Sequence, residues 1–317
     1  MARATLPQYA AYLLLRGAVA ALRLLPTRLA LLGARGLARL GWWCDRRHRR
    51  VALDNVSRVF GKDRSDPEVR RIARAGFEHL ALVTVEFMLL GRLFKSDRPE
   101  RCLRTRRREV LDEAAAGGKG IVFVCGHAGN WEVMGALMGR LGYPLHIVSR
   151  PIQNPLLQEW ARQYRTSFGE VLVPKDGALR DVARLLHQGR HVVFMMDQHA
   201  GSGGLQVDFL GWPASTFASA AAMARKFDLA IVTGHAARTE RPMEFLVEFE
   251  LVARPDPLLD KDADILRMTQ AINDAMGRFI RTYPEQWLWL HRRWRPVPGA
   301  GCEAPAIEAT HKGQDLE

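Results

Sequence analysis

The sequence predicts a layered α/β fold, in which a mostly parallel sheet lies between flanking helices and follows an apolar N-terminal helical segment. Short β-type runs alternate with helical runs between Ile121 and Thr282, as a parallel sheet with crossover helices requires. Residues 244–250 mostly alternate apolar and acidic side chains, which predicts one strand with a solvent-facing side. A hydrophobic fraction of 48% over 317 residues argues against disorder and is enough to form a substantial core.

The alternating region divides into strands and helices that can be assigned one by one. The predicted strands are 121–125, 145–149, 171–173, 191–195 and 230–234, and the predicted helices are 131–141, 155–168, 178–187, 216–227 and 263–282. A further helix is predicted from Asp66 to Leu93, because Asp66 followed by Pro67 is a good helix start and apolar residues recur behind it at helical spacing. The predicted domains are an N-terminal segment over 1–45, a main domain over 46–298 and a disordered tail over 299–317.

Residues 6–43 are apolar but interrupted by five arginines. These are Arg16, Arg23, Arg28, Arg35 and Arg39. Pro26 divides the segment into two short helical pieces, and no uninterrupted stretch reaches the length that spans a bilayer. Arg16 and Arg23 are seven residues apart, as are Arg28 and Arg35, so each pair falls on one helical face, which is typical of a helix that lies in the membrane interface. A core helix with surface arginines, or a steeply inserted helix in which Arg16 snorkels, are the alternatives.

The charge and the cysteines restrict the class of protein. The formal net charge of +12 favours an anionic partner, such as acidic lipid, nucleic acid or an acidic carrier protein. No two of the four cysteines have the CxxC spacing, so a zinc site or a disulfide framework is not expected and a reducing compartment fits best. No histidine has the partner spacing of a metal site, and His191, His199 and His235 are assigned no role.

The segment from Ile121 to Glu132 carries the clearest chemical signal, because an apolar strand runs into a turn of small residues and then into a helix. His127 and Glu132 are five residues apart, so on one continuous helix their side chains would point about 140° apart. A turn over 126–129 is therefore needed to bring them together. With Asn130 as the N-cap, Glu132 falls in the first helical turn, where the helix dipole favours a negative charge.

A histidine paired with a carboxylate is the arrangement of a general base. The carboxylate fixes the tautomer of the ring and stabilises the imidazolium, and the second ring nitrogen can then take a proton from an alcohol. From spacing alone, an N-capped helix with a neighbouring histidine packed in the turn is an equal alternative.

Four segments, in order along the chain, resemble a known family. Residues 126–132 resemble the H-x4-D/E signature of lysophospholipid acyltransferases, in the form found in the bacterial lipid A biosynthesis acyltransferases that transfer lauroyl and myristoyl groups. Ser149-Arg150-Pro151, Met196-Asp197-Gln198 and the segment 284–294 resemble later motifs of that family. The likeness extends from about Leu6 to Arg295. It implies a glycerolipid acyltransferase-like fold for the predicted main domain.

The resemblance also implies roles for individual residues. His127 is expected to act as the catalytic base, and Glu132 as the carboxylate that orients it. Arg150, Asp197, Asn130 and Gln198 are expected to bind substrate. Arg150 would hold a phosphate or a developing oxyanion, or else pair with Asp197 as a structural residue. Asp197 alternatively caps the loop that follows it, and the backbone amides of Gly129 and Asn130 are alternative oxyanion donors.

The predicted function is membrane-associated O-acyl transfer. A fatty acyl chain would pass from a thioester, with acyl-carrier protein favoured over acyl-CoA, to a hydroxyl of a lipid A precursor or related glycolipid at the cytoplasmic face of the inner membrane. The basic charge of the chain suits either acidic donor, and no cofactor or metal is expected. The alternatives are an acyl-CoA-dependent enzyme that acts on phosphatidylinositol mannoside or another lipid, and a non-catalytic basic protein that binds membrane or nucleic acid.

Three clusters have two interpretations each. The basic residues 46–50 would be drawn to an anionic leaflet or form a solvated turn. The basic stretch 101–108 would dock an acidic carrier or form a solvated face. Near the C-terminus, three tryptophans stand beside basic residues. Their rings would either lie at the membrane boundary, with the basic side chains at the surface, or pack in the core. The tryptophans are Trp287, Trp289 and Trp294.

Overall fold

The computed structural model describes residues 4–94, 102–149, 151–174 and 178–296. Its strands are β1 (Leu103–Arg106), β2 (Val122–Cys125), β3 (Leu145–Ser149), β4 (Val171–Pro174), β5 (His191–Met195), β6 (Leu205–Phe209), β7 (Trp212–Thr216), β8 (Ile231–Arg238) and β9 (Phe245–Ala253). Its helices are α1 (Leu6–Leu24), α2 (Thr27–Cys44), α3 (Arg46–Phe60), α4 (Asp66–Met88), α5 (Leu90–Phe94), α6 (Glu109–Ala114), α7 (Trp131–Arg140), α8 (Pro155–Thr166), α9 (Ala178–His187), α10 (Ser219–Phe227) and α11 (Lys261–Thr282).

A mixed seven-stranded sheet forms the centre of the molecule, in the order β1-β9-β8-β2-β5-β3-β4. Its neighbouring strands are parallel except β8 and β9. Every residue of β2 is buried, because helices cover both faces of the sheet there. The predicted layered α/β fold with a mostly parallel sheet is confirmed.

The structure corrects two helix predictions. The helix predicted over 216–227 begins only at Ser219, because residues 212–216 form β7 and pair with β6 in an antiparallel hairpin. Leu210 and Gly211 form the two-residue turn of this hairpin, and both have positive φ, as type I′ turns require. The helix predicted from Asp66 to Leu93 ends at Met88, and α5 follows it.

The N-terminal segment forms two helices, α1 and α2, separated at Pro26 as predicted. One face of α2 packs against α4 through a buried stripe: Ala30, Leu31, Ala34 and Ala38. Many large apolar side chains of α1 and α2 are nevertheless exposed, among them Leu13, Leu14, Leu29, Leu32, Leu37, Leu40 and Trp43. Within the described ranges, no helix combines the length and apolar character needed to cross a membrane.

The C-terminal segment packs into the core, which decides between the two interpretations of its tryptophans. Trp287, Trp289 and Trp294 are buried and form edge-to-face contacts with one another. Trp287 also pairs with Ala128 in an isolated β-bridge, and the Leu288 amide donates to the carbonyl oxygen of His127. This segment therefore lies along the turn that carries His127. The predicted tail over 299–317 falls outside the described residues.

Candidate active site

A tight turn between β2 and α7 carries His127. The side chain of Asn130 accepts hydrogen bonds from the amides of Glu132 (3.1 Å) and Val133 (2.9 Å), so it is the helix N-cap as predicted. Gly129 has a φ of +60°, and a Cβ atom there would lie 2.6 Å from the carbonyl oxygen of Ala236. Only glycine fits this position, because both the backbone conformation and the close contact exclude a side chain.

The carboxylate of Asp197 holds His127. Its Oδ1 lies 2.9 Å from Nδ1 of the imidazole, and its Oδ2 accepts from the backbone amide of His127 at 2.7 Å. Trp287 donates its indole N–H to the same Oδ2 at 2.8 Å. Asp197 reaches this position because β2 and β5 are parallel neighbours, so the residues that follow their carboxyl ends meet at one edge of the sheet.

The charges of this pair stabilise each other. Burial alone would raise the pKa of Asp197, but the charge of His127 and the hydrogen bonds from His127 and Trp287 lower it to about 2. Burial alone would lower the pKa of His127, but the charge and hydrogen bond of Asp197, helped by the charge of Glu132, raise it above its ordinary value. Because Asp197 is ionised at neutral pH and can only accept, the proton of the neutral imidazole lies on Nδ1.

The other ring nitrogen of His127 is the one available for chemistry. No group in the described ranges hydrogen-bonds to Nε2, and the side chain is 21% exposed, so a substrate can reach it. With the proton held on Nδ1, Nε2 presents a lone pair. The arrangement can therefore take a proton from a hydroxyl group.

Glu132 does not occupy the position that the sequence predicted for it. Its carboxylate pairs with the guanidinium of Arg165, and Arg165 also lies 3.5 Å from the carboxylate of Glu170. Asp197 instead makes the hydrogen bond on the His127 ring. The prediction that Glu132 orients His127 directly is wrong, because Glu132 lies on α7, where Arg165 of α8 takes its carboxylate. Glu132 still contributes its charge to the pKa of His127.

Glu170 gives this cluster an unusual titration. It is buried, and burial together with the charge of Glu132 raises its pKa to about 8 against the opposing effect of Arg165. A carboxyl group whose pKa is raised on folding favours the folded state below its unfolded value of 4.5, and this contribution is lost as the pH rises toward 8. We therefore expect the free energy of unfolding to fall between pH 5 and pH 8 through this group.

Glu170→Gln tests that expectation, because glutamine resembles the protonated side chain but does not titrate. The variant should flatten the pH dependence of the melting temperature between pH 5 and pH 8 in thermal unfolding followed by circular dichroism. Glu159→Gln on α8 is the control, since that carboxylate is exposed and its pKa is lowered, not raised. A Glu170→Gln profile parallel to the wild-type profile would contradict the assignment.

Asn130 supports the turn that carries His127. It is fully buried, its side-chain amide donates to Glu86 at 2.7 Å, and its backbone amide donates to Ala236. Glu86 in turn accepts from Arg238 at 2.6 Å, and Arg238 lies 3.0 Å from His79. These contacts give Asn130 a structural role, and its predicted substrate-binding role stays a prediction. Its side-chain oxygen caps α7, and its side-chain and backbone N–H groups hold the turn against α4 and β8.

The two backbone amides considered as oxyanion donors are also occupied. The Gly129 amide donates to the carbonyl oxygen of Gln286 at 2.8 Å, and the Asn130 amide donates to that of Ala236 at 2.7 Å. Neither is free for a ligand. Arg150 lies outside the described residues, so its predicted role stays a prediction. The side chain of Gln198 is partly exposed beside Asp197, and its substrate-binding role also stays a prediction.

Sequence reasoning missed several residues of the site. The sequence showed Asp197 as a wall residue, but its pairing with His127 depends on which strands are neighbours in the sheet. Arg165 gave no signal, since an arginine within an amphipathic helix reads as a surface residue. Trp287 was noticed only as part of an aromatic cluster, and its bond to Asp197 spans 90 residues of sequence.

Comparison with known proteins supports the resemblance. The profile of the family described as bacterial lipid A biosynthesis acyltransferase matches residues 2–296. A phosphatidylinositol mannoside acyltransferase of Mycobacterium tuberculosis is 29% identical over 190 residues, covering 58% of this chain and 57% of that protein. The lipid A biosynthesis palmitoleoyltransferase of Escherichia coli is 23% identical over 256 residues, covering 80% of each chain.

The lengths of these matches differ. The chain spans 57% of the length of the mycobacterial relative, whereas the match with the Escherichia coli protein extends over 80% of both chains. A lipid A biosynthesis acyltransferase of Haemophilus influenzae is 23% identical over 183 residues. The family profile covers the whole of the described structure, from α1 to the C-terminal tryptophans. This chain belongs to the bacterial lipid A biosynthesis acyltransferase family.

Proposed function

We propose that this protein is an O-acyltransferase that moves a fatty acyl chain from a thioester to a hydroxyl group of a glycolipid. The observation that carries the proposal is the pairing of His127 with Asp197, which leaves Nε2 of the imidazole free at a partly exposed site. The family membership supplies the reaction class. The pairing supplies a base that can perform it.

The proposed reaction needs one base and no covalent acyl-enzyme. Nε2 of His127 takes the proton of the acceptor hydroxyl as its oxygen attacks the thioester carbonyl, and the new C–O bond gives a tetrahedral oxyanion. Asp197 stabilises the imidazolium that forms. The intermediate then breaks its C–S bond, and the leaving thiolate takes the proton back from His127. The products are an ester and a free thiol, and the base is restored.

Two further parts of the mechanism remain proposals. Arg150 follows β3 directly, and we propose that its guanidinium binds the oxyanion or a substrate phosphate, since its fixed donors suit either group. Glu132 and Arg165 are proposed to position α7 and to raise the pKa of the base through the charge of Glu132. Neither Glu132 nor Arg165 needs to touch the reacting atoms for this role.

The substrates are proposed from the relatives and the charge. A lipid A precursor is the favoured acceptor, and phosphatidylinositol mannoside is the alternative, because these are the lipids that the names of the relatives indicate. Acyl-carrier protein is the favoured donor and acyl-CoA the alternative, since the chain is basic and both donors are anionic.

Lipid analysis tests the function directly. Lipids from cells with and without the gene are compared by mass spectrometry, and one lipid should differ by the mass of a single acyl chain. Complementation with wild-type protein should restore that lipid, and the His127→Ala variant should not. Identical lipid profiles with and without the gene would contradict the proposal.

We further propose that α1 and α2 attach the protein to the cytoplasmic face of the inner membrane. The apolar side chains exposed along both helices are interspersed with arginines, which is the pattern of an interfacial helix near anionic lipids. Removing the whole segment would also uncover the face of α4 that α2 covers. Substitutions on the exposed face are therefore a cleaner test than deletion.

Leu14→Glu combined with Leu37→Glu should release the protein from anionic vesicles, because both side chains are on this exposed face and a charge there opposes burial in the interface. Leu179→Glu with Leu258→Glu is the matched control, since these leucines are comparably exposed elsewhere: 66% and 92%, against 75% and 72%. Vesicle co-sedimentation measures the difference. Equal binding by both double variants would show that another surface attaches the protein.

A further inference from the structure

A basic groove with a volume of 440 Å³ lies between α3 and the last described residues of the chain. Six arginines line it, and Asp54 is its one acidic lining residue. The six are Arg46, Arg47, Arg50, Arg58, Arg292 and Arg295. We name this feature the arginine groove. It lies outside the His127–Asp197 pair, and the mechanism above does not use it.

The six arginines of the arginine groove form no ion pairs in the described structure, and Asp54 is the single acidic side chain in its lining. Within the part of the chain that the structure describes, no carboxylate lies within ion-pair distance of any of the six, although many other arginines of the protein are paired. Six like charges in one concave site repel one another and focus a positive potential there. The groove is therefore built to receive an anion.

Arg58 shows that the site is partly removed from water. Its guanidinium lies over the ring of Trp212 at 4.9 Å from the centroid, and its backbone carbonyl accepts the Trp212 indole N–H at 2.9 Å. Burial lowers the pKa of Arg58, and the nearby charge of Asp54 raises it only in part. A half-buried cation without an ion-pair partner is costly, and a bound anion would offset that cost.

The arginine groove is connected to the catalytic pair. Nε of Arg295 donates to Nδ1 of His199 at 3.2 Å, and Nε2 of His199 donates to the carbonyl oxygen of Arg295 at 3.1 Å. His199 is two residues after Asp197, so their Cα atoms are at most about 7.6 Å apart. One wall of the groove is thus held against the loop that supplies the carboxylate partner of His127.

We propose that the arginine groove binds the phosphate end of the pantetheine arm of the acyl donor. This inference rests on the proposed function. Both classes of acyl donor carry a phosphate at the end of this arm opposite the thioester, so the phosphate must bind apart from the base, at about the length of the arm. Arginine forks match phosphate oxygens in charge and geometry. The groove supplies the forks, and the bonds between Arg295 and His199 hold one of its walls beside the loop that carries Asp197.

The same chemistry has other sources, and the structure favours the donor. Lipid headgroups are also phosphates, and α3 follows the exposed apolar helices directly. A headgroup contact, however, explains neither the concave shape nor the bonds between Arg295 and His199 beside the catalytic pair. Donor phosphate accounts for both features.

Arg50→Gln combined with Arg292→Gln tests the proposal, because both side chains are exposed, both line the groove and neither is hydrogen-bonded within the described structure. The KM for acyl donor should rise by about tenfold or more, since charge-assisted hydrogen bonds are lost, while kcat stays within about twofold. The assay is run separately with acyl-CoA and with acyl-carrier protein. If the KM rises for only one of the two donors, the groove binds the phosphate of that donor.

Two double variants with the same loss of charge serve as controls. Arg70→Gln with Arg180→Gln removes two exposed arginines elsewhere and should leave the KM unchanged. Arg106→Gln with Arg108→Gln removes charge from the basic stretch 101–108, whose described part begins after Arg101. If that variant raises the donor KM and the groove variant does not, donor binding belongs to that stretch and the proposal is overturned.

Direct binding separates this inference from the proposed function. Calorimetry on the His127→Ala protein uses coenzyme A, 4′-phosphopantetheine and pantetheine, none of which needs turnover. The first two should bind more tightly than pantetheine, and Arg50→Gln/Arg292→Gln should remove that advantage. The proposal would be overturned if this double variant still bound coenzyme A and 4′-phosphopantetheine more tightly than pantetheine. It would also be overturned if the double variant bound anionic vesicles more weakly but bound these probes as tightly as before. Wild-type protein that binds these probes but transfers no acyl group would instead contradict the proposed function alone.

Discussion

Replacing Asp197 with asparagine is expected to lower kcat by about 1,000-fold or more, as much as replacing His127 with alanine. Asparagine fits the site, and its oxygen can still accept from the His127 amide and from Trp287. Its NH₂ group would then face Nδ1 of the imidazole, where the wild-type carboxylate accepts a proton. The ring is forced into the tautomer with its proton on Nε2, which cannot act as a base.

The double variant separates a catalytic pair from two independent residues. If His127 and Asp197 act as one unit, His127→Ala with Asp197→Asn should be hardly slower than either single variant. Purified proteins are compared by kcat and KM, with circular dichroism to confirm that each is folded. Losses that multiply in the double variant, or near-normal turnover in His127→Ala, would contradict the proposed mechanism.

The pH dependence gives a second readout of the same pair. A general base must be unprotonated, so kcat/KM should rise with pH through the pKa of His127, which Asp197 holds above 6.5. Removing the negative charge of Asp197 should lower that pKa. The remaining activity of Asp197→Asn should still increase with pH, but the increase should begin at a lower pH than in the wild type. Glu132→Gln should move the profile in the same direction by less, because Glu132 does not hydrogen-bond to the ring.

Much of the fold was predictable because local pattern and tertiary context agree. The alternation of apolar strands with amphipathic helices identified β2, β3, β4, β5 and β8, and the predicted helix 178–187 matches α9. The β6–β7 hairpin was missed because its turn, Leu210-Gly211, lacks the usual Asn-Gly or Asp-Gly signal. Leu210 adopts a positive φ that its residue type disfavours, and only the packing of the hairpin explains it.

Sequence reasoning singled out the residues that the structure brings together around His127, but it did not predict which of them pair. Sequence motifs identified His127, Glu132 and Asp197, since each follows a strand or begins a helix at the expected place. Spacing along the chain favoured the near carboxylate of Glu132. The structure pairs His127 with Asp197, 70 residues away, because strand order places the end of β5 beside the end of β2. Pairing across a parallel sheet depends on strand order, which local sequence does not encode.

Trp289→Ala is expected to lower the free energy of unfolding by about 3–5 kcal/mol. The ring is fully buried, packs against Trp287 at a centroid distance of 4.6 Å and donates its indole N–H to the carbonyl oxygen of Pro284 at 2.7 Å. Alanine would leave a cavity and an unpaired carbonyl group at the point where the C-terminal segment meets α4. Because Trp287 also bonds Asp197, loosening this segment should reduce activity as well.

Trp43→Ala is the matched control for Trp289→Ala. Trp43 is 69% exposed on α2, so its replacement should change the free energy of unfolding by less than about 0.5 kcal/mol. Denaturant unfolding followed by circular dichroism measures both variants. We expect Trp43→Ala to weaken vesicle binding and Trp289→Ala to weaken only stability and activity. That result would assign membrane contact to Trp43 and core packing to Trp289. Equal stability of Trp289→Ala and wild type would contradict a packed C-terminal segment and, with it, the support that this segment gives to Asp197.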